Sequence, residues 1–191
     1  MGSLLMATVS LESCQSEDAE PDRTPINAFS MMVDEEVWQP YQDEDDICRS
    51  TFFGAFGHLG TMPMYTIYAY RDPEGRDDYL SENFLRSRIM DVADTGTYRL
   101  DGSYENDFDS YFLFVVRESA EESKRYINDP ANEPFSFHVK EFFPIQYSDS
   151  RGFGGSFSGV LYNEHDPTDS LIISQGAFTF GIVNYDDHCG F

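Results

Sequence analysis

Apolar and polar positions alternate at a spacing of two along most of this chain. The clearest case is residues 152–183, which read GFGGSFSGVLYN, then EHDPTD, then SLIISQGAFTFGIV. In the first run Phe157, Gly159 and Leu161 fall on one face. In the second, Leu171 and Ile173 share a face, and after Gly176 so do Phe178, Phe180 and Ile182. The polar stretch between them holds Pro167. This pattern predicts a long hairpin with one apolar side. Gly154, Gly155, Gly159 and Gly176 are expected at bulges or close backbone approaches.

The rest of the chain repeats the pattern in shorter pieces. Residues 26–33 carry apolar groups on both faces, 34–36 turn the chain, and Val37 and Trp38 begin the return. Residues 47–57 read as a strand with Cys48 near its start. In 64–70, Met64, Thr66, Tyr68 and Tyr70 oppose Tyr65, Ile67 and Ala69. Phe84, Leu85, Ile89 and Met90 fit a helical face, but 84–91 also fits a strand, and the neighbouring strands favour that reading. Residues 111–116 (YFLFVV) are apolar throughout, as in a central strand buried on both faces. In 135–141, Phe135, Phe137 and Val139 point inward. The best helix candidate is 119–128, where Ser119 and Glu122 have capping-box spacing and Pro130 follows. The predicted fold is all-β: a mostly antiparallel β-sandwich or partly open barrel of about ten strands with at most one short helix.

Composition sharpens this picture. At 191 residues and 40% hydrophobic, the chain can bury the core of one domain. Its net charge of −23 disfavours a nucleic-acid partner, because a polyanion would be repelled. Lys124 and Lys140 are the only lysines, so most of the 12 basic residues are arginine.

The N-terminus carries an address. Residues 4–9 form a short apolar run, Leu11 lies three positions before Cys14, and Ser13 lies directly before it. This resembles a bacterial lipobox, with Glu12 departing from the usual middle residue. The acidic run QSEDAE at 15–20 resembles the signal that exports lipoproteins of Bacteroidota to the outer face of the outer membrane. The expected division is 1–14 as the remnant of a lipoprotein signal peptide, 15–25 as an acidic disordered tether, and 26–191 as a single β-sandwich domain. Val33, Asp34 and Trp38 at the opening, and Gly155, Phe157, Ser158, Gly159, Gly176 and Phe178 near the close, resemble small β-sandwich lipoproteins of unknown function from Bacteroidota. The resemblance implies a fold and a surface location and carries no activity.

With Cys14 assigned to the lipid, Cys48 and Cys189 remain as a candidate disulfide, which an extracytoplasmic compartment would permit. No catalytic residues are expected. The run Gly155-Ser156-Phe157-Ser158-Gly159 has Phe where a nucleophile elbow needs Ser, and no Cys-x-x-Cys or His-Glu-x-x-His occurs. No cofactor is expected either. Calcium is the alternative, through acidic clusters at 43–46, Asp107 with Asp109, His165 with Asp166, and 186–188. Tyr65, Tyr68 and Tyr70 are candidates for stacking on sugars, with core packing or cross-strand pairing as the alternative. The expected function is therefore a lipid-anchored extracytoplasmic binding or structural module at the bacterial outer membrane, with a protein or glycan ligand. The alternatives are a soluble periplasmic or secreted carbohydrate- or calcium-binding domain, and a hydrolase using a carboxylate pair.

Overall fold

The computed structural model describes residues 27–43, 47–71, 83–119, 122–132, 135–144 and 150–184. Over these the chain forms β1 (Asn27–Val33), β2 (Glu36–Trp38), a 3-10 turn (Ile47–Arg49), β3 (Phe52–Leu59), β4 (Met62–Tyr70), β5 (Phe84–Met90), β6 (Gly96–Leu100), β7 (Tyr111–Arg117), β8 (Ser123–Asn128), β9 (Phe135–Pro144), β10 (Arg151–Asn163) and β11 (Ser170–Phe180). All eleven strands join one antiparallel sheet, curled into a half-barrel. The main path runs β2-β1-β11-β10-β8-β7-β5-β4-β3. The all-β antiparallel expectation is met.

The long hairpin is the hinge of this sheet. One edge of β10 pairs with β11 along most of its length. The other edge divides: Arg151–Ser158 pairs with β9, and Leu161–Asn163 pairs with β8. Strand β6 then adds to the outer edge of β9. Two sheet arms thus leave one strand, and their inner faces close over a shared core. Phe157 sits at the junction. Its ring lies 5.5 Å from Phe29, 5.3 Å from Phe112, 6.0 Å from Phe137 and 6.4 Å from Phe178.

The parity change expected at Gly176 has a structural cause. Phe157 pairs with Gly176, but Gly159 pairs with Ile173, so β11 carries one extra residue. Strand β1 meets the same bulge between Ser30 and Met32. Gln175 takes it up at φ 50°. Ile173 faces the core before the bulge, and Gly176, Phe178 and Phe180 face it afterwards. Gly176 is needed for another reason: a Cβ there would lie 2.4 Å from the Phe157 ring and 2.6 Å from the Phe157 carbonyl oxygen.

Two expectations are corrected. Residues 119–128 do not form a helix. Glu118 and Ser119 donate their N–H groups to the Glu122 carbonyl at 3.0 and 3.2 Å, closing a turn, and Ser123–Asn128 is strand β8. It pairs with β7 on one side and β10 on the other. A ten-residue helix has no stability of its own, whereas the strand satisfies both backbone edges and buries Tyr126 and Asn128. The strand expected over 47–57 begins only at Phe52. Thr51 is fully buried, and its hydroxyl bonds the carbonyls of Tyr41 and Tyr70, which fixes the entry to β3.

Candidate functional site

Strand β5 reads FLRSRIM. Leu85, Ser87 and Ile89 face the core, so Phe84, Arg86 and Arg88 face out. The register aligns these with outward residues of their neighbours. Thr66, Arg88 and Tyr111 form one row, and Tyr68, Arg86, Leu113 and Ile127 form the next. Tyr70, Phe84, Val115 and Arg125 form a third, with Arg117 beside Ser123 beyond it. A cleft of about 560 Å³ opens over these rows, lined by Tyr68, Arg86, Tyr104, Leu113, Arg117 and Arg125 among others. Among the described residues no Asp or Glu lines it, in a chain holding 35 of them.

The loop 101–110 forms one wall and is clamped by Arg88. This arginine is buried, and its Nη1 donates to the carbonyls of Asn106 at 3.3 Å and Asp107 at 2.9 Å. The Asp107 carboxylate lies 3.9 Å away. Met90 N–H donates to Ser110 Oγ at 2.9 Å, and Asn128 Nδ2 donates to the Gly102 carbonyl at 3.1 Å. So held, the loop brings Tyr104 to the cleft. Its hydroxyl donates to Glu164 Oε1 at 2.8 Å and accepts from Arg125 Nη1 at 3.3 Å. Burial and the neighbouring Glu164 push the Tyr104 hydroxyl above its ordinary range, against the pull of Arg125.

In the row beside the cleft, paired with Arg88, lies Tyr111, only 1% exposed. The Arg86 and Arg88 guanidinium carbons sit 5.8 and 5.2 Å from its ring centroid, in cation–π range. Burial raises its pKa, opposed by those two positive charges. Its hydroxyl is buried and meets no partner in hydrogen-bond geometry among the described residues. The same holds for Arg86 Nε and Arg88 Nε. Arg86 also has no carboxylate within ion-pair distance among the described residues, unlike Arg88 with Asp107 and Arg125 with Glu164. Its guanidinium lies 5.6 Å from the Tyr68 ring centroid. Tyr68 in turn stacks on Phe53 at 4.8 Å.

The residues singled out in the sequence fall elsewhere. Cys14 and Cys189 lie outside the described residues, as do the tether and the acidic positions 44–46 and 186–188. Cys48 lies in the 3-10 turn and is disulfide-bonded, its partner outside the described residues. Asp107 serves Arg88. Asp109 caps its own loop, accepting from Ser103 N–H and Asn106 Nδ2, each at 2.9 Å. Asp166 accepts from the N–H and hydroxyl of Thr168 at 3.0 and 2.7 Å, and His165 N–H donates to Asn163 Oδ1 at 3.0 Å. Among the described residues no three His, Cys, Asp or Glu side chains converge as a metal site, and no helix is long and apolar enough to cross a membrane. Tyr65 is a core residue, its hydroxyl donating to the Arg151 carbonyl at 2.9 Å. Tyr68 and Tyr70 line the cleft. The arginines were missed. Their signal was the Arg-x-Arg of β5, which puts both side chains on one face once the segment is a strand.

Fold and site together define a small antiparallel half-barrel domain with a cationic, aromatic cleft on its outer face. The chain belongs to the family described as a domain of unknown function, DUF5025, whose model matches residues 26–181. Comparison with curated proteins and with solved structures gives no match.

Proposed function

We propose that this chain is a lipid-anchored extracytoplasmic binding module of the bacterial outer membrane, tethered through Cys14 and exposed at the cell surface. The anchor rests on Leu11 and Ser13 before Cys14 and on the acidic run that follows. The disulfide at Cys48 supports an oxidising compartment. The observation that carries the binding role is the outer-face cleft, where Arg86 sits beside Tyr68 and Tyr104 with no carboxylate partner among the described residues. Clefts of this size with a few polar groups on an apolar floor suit small ligands. Tyr68 and Tyr70 at that cleft favour a ligand with a ring, a glycan among them.

The anchor is tested by expressing the full chain and its Cys14→Ala variant behind a native leader in a bacterial host and partitioning both in detergent. The wild type is expected in the detergent phase and the variant in the aqueous phase. Equal recovery of both from the aqueous phase overturns the anchor.

A further inference from the structure

We infer that Arg86 is the anchor point of the cleft and that its ligand is a small ring compound bearing an acidic group, a carboxylate in the first instance. This deepens the binding part of the function proposed above and is independent of the lipid anchor.

Four observations converge on it. Arg86 Nε is buried without an acceptor, and the guanidinium has no carboxylate near it among the described residues. A half-buried guanidinium whose Nε lacks an acceptor gains from a bound oxyanion, which supplies bidentate, charge-assisted hydrogen bonds. The Tyr111 hydroxyl is buried beside the same guanidinium, whose charge and hydrogen bonding work against the upward push of burial on that hydroxyl, so the pair forms one polar patch at the cleft edge. The cleft offers about 560 Å³, inside the range that holds small organic ligands. Beside its arginines the cleft offers ring and aliphatic surface: Tyr68, stacked on Phe53, with Leu113 and Val115.

The register limits the ligand's size. Arg125 lies two strands from Arg86, about 10 Å across the sheet, and one side-chain row along it, about 7 Å. Two arginine stems can close that gap around one or two rings. Arg125 is already engaged by Tyr104 and Glu164, so the acidic group goes to Arg86. A long polyanion is excluded by the net charge of −23, whereas a small acid feels mainly the charges within a Debye length of about 8–10 Å.

The test is calorimetric titration of the full chain with galacturonate, an acidic sugar, with benzoate, an aromatic acid, and with galactose, a neutral ring. At least one acid is expected to bind, more weakly at about 1 M than at about 0.15 M salt, and galactose is not. Binding of galacturonate alone assigns an acidic sugar, and binding of benzoate alone an aromatic acid. Arg86→Gln should weaken binding by about tenfold or more. Arg151→Gln, whose parent side chain lies over Phe142 outside the cleft, should not. Failure of both acids to bind below about 10 mM, galactose binding as well as the acids, or an unchanged affinity in Arg86→Gln overturns the inference. A second readout needs no ligand. Arg86→Met removes an unsatisfied buried group and should raise the Tm, whereas a lowered Tm would make Arg86 structural and overturn its role here. Loss of acid binding in a protein that still partitions into detergent counts against this inference and leaves the anchor standing.

Discussion

The close approach of Gly176 to Phe157 makes a double-mutant cycle the sharpest test of how the two sheet arms are joined. Phe157 is 3% exposed and packs against five other phenylalanines at centroid distances of 5.3–6.4 Å. Its truncation to Ala loses the transfer free energy of the ring and leaves a cavity, together about 3–5 kcal/mol. That is a large share of the 5–15 kcal/mol typical of a domain. Gly176→Ala acts from the other side. The new methyl meets the ring at 2.4 Å and the Phe157 carbonyl oxygen at 2.6 Å. The oxygen belongs to the β10–β11 pairing and cannot retreat without disturbing it, so overpacking of about 1–3 kcal/mol is expected. In the double variant the clash with the ring is gone and the methyl fills part of the hole. The clash with the carbonyl remains. The double variant should therefore be less destabilised than the sum of the singles by about 1–2 kcal/mol. Urea unfolding followed by far-UV circular dichroism and by the fluorescence of Trp38, the single tryptophan and itself buried against Phe29 and Phe114, measures all three. Additivity within about 0.5 kcal/mol, or a Gly176→Ala cost below that, would refute the contact as the reason for glycine here.

Two further outcomes are expected. If Cys48 pairs with Cys189, intact mass rises by two hydrogens on reduction and a Cys189→Ser variant loses that difference; the closed loop contributes about 4–5 kcal/mol in the chain-entropy model, so the variant should unfold at clearly lower urea. Tyr126 donates to Asp169 Oδ2 at 3.0 Å, and burial followed by that carboxylate pushes its hydroxyl up to about 12; because the unfolded hydroxyl ionises near pH 10, this contribution is intact below about pH 10 and lost as pH rises towards 12, so wild type and Tyr126→Phe should diverge in the pH slope of stability only above about pH 10.

Most of the fold was legible because strand pairing obeys a period of two wherever one face is buried. The β10–β11 hairpin, its parity switch at Gly176, the alternation of β4 and β9 and the doubly buried β7 all follow from side-chain order alone. What failed was local. Residues 119–128 mix a capping signal with the short strand SKRYIN, and a ten-residue window cannot show that both its edges will find partners. Those partners, β7 and β10, lie on either side of it in the fold, and β10 begins 23 positions after β8 ends. The division of β10 between β8 and β9 is hidden for the same reason. It depends on which distant strands reach the same edge.

The candidate site was hidden by averaging. A net charge of −23 describes the far field and argues correctly against a nucleic acid. It says nothing about a cleft whose dimensions are comparable to the screening length. Arg86 and Arg125 are 39 positions apart in sequence and reach one cleft only because β5, β7 and β8 are consecutive in the sheet. Three acidic residues on this side of the sheet are engaged elsewhere: Asp107 on Arg88, Glu164 on Arg125 and Tyr104, Asp169 on Tyr126 and Lys124. Each basic group beside the cleft with such a partner is neutralised locally, and Arg86 has none among the described residues. What sets Arg86 apart is its place: it lines the cleft with its Nε buried and no carboxylate among the described residues to meet it. The physical chemistry of a half-buried guanidinium then asks for an oxyanion that the described residues do not supply.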